Sequence, residues 1–337
     1  MSVKKILSVF LFIVIALTAS AQKHAFTIED LYKVKNVSVP VLSNSGEKIA
    51  FTVSESDLPT GKTISTVYVM STNGASLVNI SEKVPGASSP VWSSNDDLYL
   101  MNKGQVYKYS FETNESIQLT DFYAGVSDPV FSNDGRYIAF AAELFPECGT
   151  DTDCNKRLDE SSSNGPVQAY IADELLFRHW TDYKGEKESY LILFDIKENK
   201  YQAITSSDIL SGTYMLGGGP KYAFSNDSRV LAYVSSAEKN IANSTNTDIF
   251  LMPLGGNQTV NITLANDAWD GTPTFSPDGN YIAYRTHSIP GYEADRFRVS
   301  VFNTKTLISE VLTEDFDYTT DNMTWSADSK SIYFLAD

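Results

Sequence analysis

The stretch AYIADELLFRHW, Ala169 to Trp180, holds the side chains of this 337-residue chain best suited to binding chemistry. Preceded by Gly165 and Pro166, it reads as the one convincing helix of the chain, and on it Asp173, Glu174 and Arg178 lie within about a turn of each other. Glu174 and Arg178 are four residues apart, so a plain surface ion pair of about 0.3 kcal/mol accounts for them. The functional reading is different: if the segment faces a cavity, Glu174 holds a cationic group such as the free amino terminus of a peptide.

The other reactive residues exclude more than they offer. No Gly-x-Ser-x-Gly elbow occurs, and the three histidines, His24, His179 and His287, have no serine and aspartate arranged for a triad. Neither a phosphate loop, a His-Glu-x-x-His nor a Cys-x-x-Cys is present, so no motif calls for a cofactor. His179 reads as a packing residue beside the helix, and His287 as an ordinary loop residue. Cys148 and Cys154, in CGTDTDC, lack the second Cys/His pair that zinc needs and read as a local disulfide. Asp151-x-Asp153-x-Asn155 imitates the start of a calcium loop. Lys156 stands where that loop needs glycine and Ser162 where it needs a bidentate glutamate, so no metal is expected.

What positions these residues is a repeat. FSPDGNYIAY (Phe275 to Tyr284) returns as FSNDGRYIAF, FSNDSRVLAY and LSNSGEKIAF, and more weakly as WSSNDDLYL and WSADSKSIYF. Asn/Pro-Asp-Gly supplies a tight turn, and Ile-Ala-Phe/Tyr a strand apolar on both faces, as in a sheet covered on both sides. The recurring aspartates, Asp134, Asp227, Asp278 and Asp328, therefore read as turn residues. A second hairpin follows most copies, as in TDIFLMPLGGNQTVNIT, giving four antiparallel strands per unit. The turn serines fall at 43, 93, 132, 225, 276 and 326, so the period is 39–51 residues apart from one gap of 93.

Four-stranded units at that period predict an all-β fold, a β-propeller. Five blades are complete, at about 38–81, 88–120, 128–205, 220–263 and 270–313, and a partial sixth begins at Asp321. The long gap places an insertion, residues 143–188, between the two hairpins of blade three, and the helical stretch lies in it. A ring left after one hairpin would expose an open sheet edge, so a propeller incomplete at residue 337 and continued downstream is expected.

Residues 1–21 read as a cleavable export signal: Lys4 and Lys5, the apolar run ILSVFLFIVIALT and the small-residue site Ala19-Ser20-Ala21. A segment 22–37 then leads into the propeller 38–337. The periplasm, or secretion, is the expected location, with no membrane association after cleavage. The formal net charge of −16 argues against nucleic acid as a partner.

Three features together carry a family resemblance: FTIEDLYKVKNVSVPVLSNSGEKIAF near the start, the FSPDG-type repeats, and an insertion with CGTDTDCNKR followed by LLFRHWTDYKG. Over residues 24–337 the chain resembles the N-terminal propeller of the prolyl oligopeptidase family of serine peptidases, in its dipeptidyl-peptidase/acylaminoacyl-peptidase branch. The resemblance implies an α/β-hydrolase domain downstream bearing the Ser-Asp-His triad. It also implies a propeller that screens oligopeptide substrates by size, and acidic propeller residues that fix the substrate's amino terminus. Asp173-Glu174 is the nearest match to that acidic pair. A homodimer is compatible with this reading. The FSPDG repeat alone also fits a non-catalytic TolB-type propeller acting as a protein-binding module. That alternative leaves the insertion and the IEDL opening unexplained.

Overall fold

The structure, a computed structural model, describes residues 25–166, 169, 171–172, 178–179, 182–183, 185–205, 221–236, 238, 243–256 and 258–336. Five four-stranded antiparallel sheets and a final hairpin follow one another along the chain, each in simple sequential order. The first contains Asn36–Leu42, Lys48–Asp57, Lys62–Ser71 and Val78–Asn79, and the second Ser88–Trp92, Leu98–Asn102, Gln105–Ser110 and Glu115–Gln118. Blade three pairs Ser127–Phe131, Tyr137–Leu144, Glu188–Asp195 and Lys200–Ala203. Blade four holds Tyr222–Phe224, Val230–Ser235, Asp248–Pro253 and Val260–Asn261; blade five holds Asp270–Phe275, Tyr281–Thr286, Arg298–Asn303 and Ile308–Val311. Thr320–Trp325 and Ile332–Ala336 form the last hairpin. First strands of neighbouring blades lie against each other, which is the radial stacking of a propeller.

The seams explain why the second strands are apolar on both faces. Ala50, Val67 and Val69 of blade one pack on Leu98, Leu100 and Tyr109 of blade two. Ala139, Leu191 and Leu193 meet Tyr222, Phe224 and Tyr233 across the next-but-one seam, and Val234 and Ile249 meet Ile282, Tyr284 and Phe302 across the one after. Phe140 is fully buried against Phe122 and Tyr201. Each buried Val, Leu, Ile or Phe among them contributes roughly 1.5–3 kcal/mol of burial, so the seams hold the fold together.

The repeated decapeptide does two jobs. Within a blade, the anchoring serine closes the turn: Ser276 Oγ donates to Asp278 Oδ1 (2.6 Å) and accepts from the Tyr281 N–H (3.0 Å). Ser132, Ser225 and Ser326 bond Asp134, Asp227 and Asp328 in the same way, so the repeating aspartates are turn residues. Between blades, the residue after the serine reaches the next turn. Asn44 donates to the Ser94 carbonyl (3.0 Å), Ser94 to the Asn133 carbonyl, Asn133 to the Asn226 carbonyl (3.1 Å) and Asn226 to the Pro277 carbonyl (2.7 Å). Pro277 has no donor to continue the belt. There the Asp278 N–H bonds Ser329 Oγ (3.0 Å) instead, as the Asp134 N–H bonds Ser228 Oγ (3.0 Å). Ser228 and Ser329 hold φ of 57° and 60°, the left-handed conformation that glycine takes at this turn position in other blades, and their hydroxyls bond across the seam.

Ser276 is wholly buried, so Ser276→Ala strands the Tyr281 N–H and removes the support of Asp278. A loss of about 1–3 kcal/mol is expected, read as a lower urea midpoint with an unchanged slope.

Candidate functional site

The arm-bearing face. A first strand runs toward the serine-anchored turn and the second runs back, so second-to-third-strand connections leave from the face opposite the belt of turns. In blade three that connection leaves after Leu144 and returns at Glu188, with an arm between them. Its base is rigid. Cys148 and Cys154 form a disulfide, and Asp151 caps the helix Thr152–Asn164 by accepting from the Cys154 N–H (2.8 Å). Asn155, only 2% exposed, accepts from the Phe145 N–H and donates to the Gly149 and Asp151 carbonyls, all within 3.0 Å. Asp159 on the helix meets Lys187 Nζ at 2.6 Å, tying the outgoing helix to the returning strand.

This corrects the predicted position of the helix. The helix in the arm is Thr152–Asn164, a polar segment whose only buried residue is Asn155. Arg178 and His179, the end of the predicted helix, instead form a short antiparallel ladder, Arg178 opposite Tyr183 and His179 opposite Asp182. Their backbone groups bond across that ladder, and the Arg178 side chain is exposed. Asp173 and Glu174 themselves lie outside the described residues, as do His24 and residues 1–21.

Three charged residues stand at the root of the arm. Glu143 is the last residue but one of the second strand, opposite Ser189; partial removal from water raises its carboxyl pKa, opposed by a hydrogen bond from Ser189. Lys221, just before the first strand of blade four, is pushed down by burial, with Asp128 and Glu143 opposing that shift. Asp128 lies on the innermost strand at φ 50°. The neighbouring Tyr222 hydroxyl donates to the Asp128 carbonyl, which brings Lys221 to the same level.

Asp128 belongs to a pattern. Val39, Ser89, Thr272 and Asn322 also take positive φ at the register shift of an innermost strand. These are bulges, which twist a strand and re-aim its side chains. Their sequence signal is a proline directly after the bulged residue, at Pro40, Pro90, Pro129 and Pro273.

A second polar cluster lies on the same face, between blade five and the last hairpin. The Arg285 side chain is 5% exposed, lies 4.4 Å over the Phe297 ring and 5.6 Å from that of Trp269, and meets Asp321 Oδ1 at 2.9 Å. A Cβ added at Gly271 would come within 2.3 Å of the Trp269 ring, so only glycine leaves room for it there. His287 packs on Phe297 at 4.2 Å, is 1% exposed, and has no hydrogen-bond partner at either ring nitrogen among the described residues. Burial holds its imidazole below the usual histidine range, so it sits in the core as a neutral ring. Among the described residues no group of three or more His, Cys, Asp or Glu is placed to hold a metal ion.

No family model matches the chain. Over 338 aligned residues it is 27% identical to dipeptidyl-peptidase 5 of Porphyromonas gingivalis, covering 95% of this chain and 48% of that protein. It is 25% identical to the Porphyromonas endodontalis protein of the same name, over 83% of this chain and 41% of the relative. The chain thus spans about half the length of the curated relatives it matches. In fold it resembles the acylaminoacyl peptidase of Pyrococcus horikoshii, with a TM-score of 0.64 at 11% identity, over 90% of this chain and 43% of that one. It also resembles the β-propeller domain of the Trilobed protease from Pyrococcus furiosus, with a TM-score of 0.56 at 12% identity, over 91% and 78% of the two chains.

Proposed function

We infer that this chain, a β-propeller of the kind found in prolyl oligopeptidase-family peptidases, is the substrate-gating portion of a serine dipeptidyl or acylaminoacyl peptidase. The observation that carries the reading is sequence relationship along nearly the whole chain to dipeptidyl-peptidases about twice its length. The catalytic serine, aspartate and histidine belong to a hydrolase domain downstream, and the propeller restricts access to it by size. Oligopeptides pass and folded proteins do not. The arm stands at the entrance, and its base supports this: a disulfide, a capped helix and the buried Asn155 fix residues 145–164 against the blade.

In this reading Glu174, with Asp173 beside it, binds the substrate's amino terminus and so sets the distance to the scissile bond. Arg178, exposed on its ladder, belongs to the same candidate set. The protein is exported by residues 1–21 and works on peptides outside the cytoplasm. The gene downstream of residue 337 tests this: it should encode the remainder of the ring and then a Gly-x-Ser-x-Gly motif. A reading frame that closes there, or runs into an unrelated domain, removes the peptidase reading.

A further inference from the structure

Two carboxyl groups are buried in the seam between blades four and five. Asp248, 6% exposed, opens the third strand of blade four, and Asp270, 1% exposed, opens the first strand of blade five. The main chain is already joined here: the Asp270 N–H donates to the Thr247 carbonyl (2.9 Å), and Thr247 Oγ1 donates to the Asp270 carbonyl (2.8 Å).

Among the described residues, neutral donors alone serve the two carboxyls: Asn261 and Thr263 for Asp248, and Thr286, Asn266 and Thr263 for Asp270. Thr263 Oγ1 accepts from the Ile249 N–H (2.9 Å), and its single proton faces Asp248 Oδ1 (3.1 Å) while the Asp270 carboxyl is also within its reach. The one proton of the Thr286 hydroxyl likewise has two acceptors, the His287 carbonyl (3.0 Å) and the Asp270 carboxyl. Asn266 Nδ2 has two protons for three acceptors: Asp270 Oδ2 (3.1 Å), Thr286 Oγ1 (3.1 Å) and the His287 carbonyl (3.0 Å). Neutral donors do not balance a buried charge, and a carboxyl that keeps its own proton avoids carrying one.

The surrounding charges point the same way. Glu238 and Asp267 act on Asp248, and Asp248 acts on Asp270; all are acids. The Tyr284 phenol feels the field of Asp270, and the His287 ring is held neutral by burial. The nearby cations are engaged elsewhere, Arg285 with Asp321 and Arg298 with Asp295 and Glu314. Asp248 has Asn261 and Thr263 to bond it, whereas Asp270 is the more deeply buried. We propose that Asp270 holds its proton up to about neutral pH rather than carry an uncompensated charge in the seam, so that the join between blades four and five is a proton-held latch that loosens as the medium turns alkaline.

Burial pushes the Asp270 carboxyl up to about 7 from an ordinary 3.8. Across that window the unfolded chain releases the proton while the folded one keeps it, so this group's contribution to stability falls as pH rises and levels off above the window. The turn acids Asp227, Asp278 and Asp328 run the other way. Their serine partners lower their pKa, so what they contribute is lost on acidification through the carboxylate range. A single pH curve mixes both kinds, and the comparison must therefore be made against Asp270→Asn, whose amide donates at every pH.

In the intact protein, amide exchange across residues 247–271 is corrected for its intrinsic rate and compared at about pH 5 and about pH 8.5. The unmutated seam should lose protection at the higher pH, by up to about 100-fold given the size of the pKa displacement, while Asp270→Asn loses none. An identical pH response in both proteins overturns the latch. Infrared spectra of the unmutated protein with isotope-labelled aspartate give an independent reading, which stands even if the variant does not fold. A buried neutral carboxyl band should be present at pH 6 and disappear around pH 7–8. Absence of that band, or its removal by Asp248→Asn and not by Asp270→Asn, overturns the assignment to Asp270.

Discussion

In the full-length gene product, the proposed function predicts that Glu174→Gln raises KM for peptide substrates with a free amino terminus by about 10–100-fold, the worth of one hydrogen bond to a charged group. Substrates whose amino terminus is blocked should be nearly unaffected. The split is the informative part, because the two substrate classes share everything except the ammonium that a carboxylate would hold. Equal losses on both would assign Glu174 to the architecture of the arm. The same assay on Arg178→Met separates a binding arm from a single binding residue. Arg178 lies on a two-stranded ladder and carries a positive charge that cannot hold an ammonium, so its loss should not reproduce the free-amine selectivity.

Arg285→Met should cost about 2–4 kcal/mol, one of the larger stability effects expected among the described charged residues. The guanidinium is buried against two aromatic rings, and it bonds the Thr320 carbonyl (3.2 Å) and Thr272 Oγ1 (3.3 Å) as well as Asp321. Removing it leaves those buried acceptors unpaired and takes away the cation over the rings. Asp321, by contrast, keeps 56% of its side chain in solvent, so Asp321→Asn should cost at most about 1 kcal/mol. Urea denaturation of the two variants checks the asymmetry. Equal costs would mean that the ion pair, rather than the buried packing and hydrogen bonds, joins the last hairpin to blade five.

The propeller was legible because its turns admit few residues. A serine must both bond the aspartate two positions on and accept the amide that closes the turn, so Ser132, Ser225, Ser276 and Ser326 stand out in the sequence. The links between turns were not legible. Asn44, Asn133 and Asn226 look like ordinary turn residues until the next blade supplies their acceptors. The helix was misplaced for a physical reason. Thr152–Asn164 carries almost no apolar residue, because it is fixed at one end by a disulfide, a cap and Asn155 rather than by a buried face. Periodicity of apolar residues cannot find such a helix; the Asp151 cap before a run free of Gly and Pro could have done. The bulges could have been read from the recurrent proline two residues before Leu42, Trp92, Phe131 and Phe275. The buried pair Asp248 and Asp270 could not. Both sit at strand starts where an acid is commonplace, and only the packing of two blades removes them from water.

The central claim is that an arm-bearing ring admits short peptides to a serine hydrolase carried on the same polypeptide. Its most direct measurement is turnover of a fluorogenic dipeptide by the full-length gene product, with and without a serine-directed phosphonate. Release of the fluorophore that the phosphonate abolishes is the predicted result. A folded full-length product that leaves the dipeptide intact, or cleaves it regardless of the phosphonate, would contradict the account.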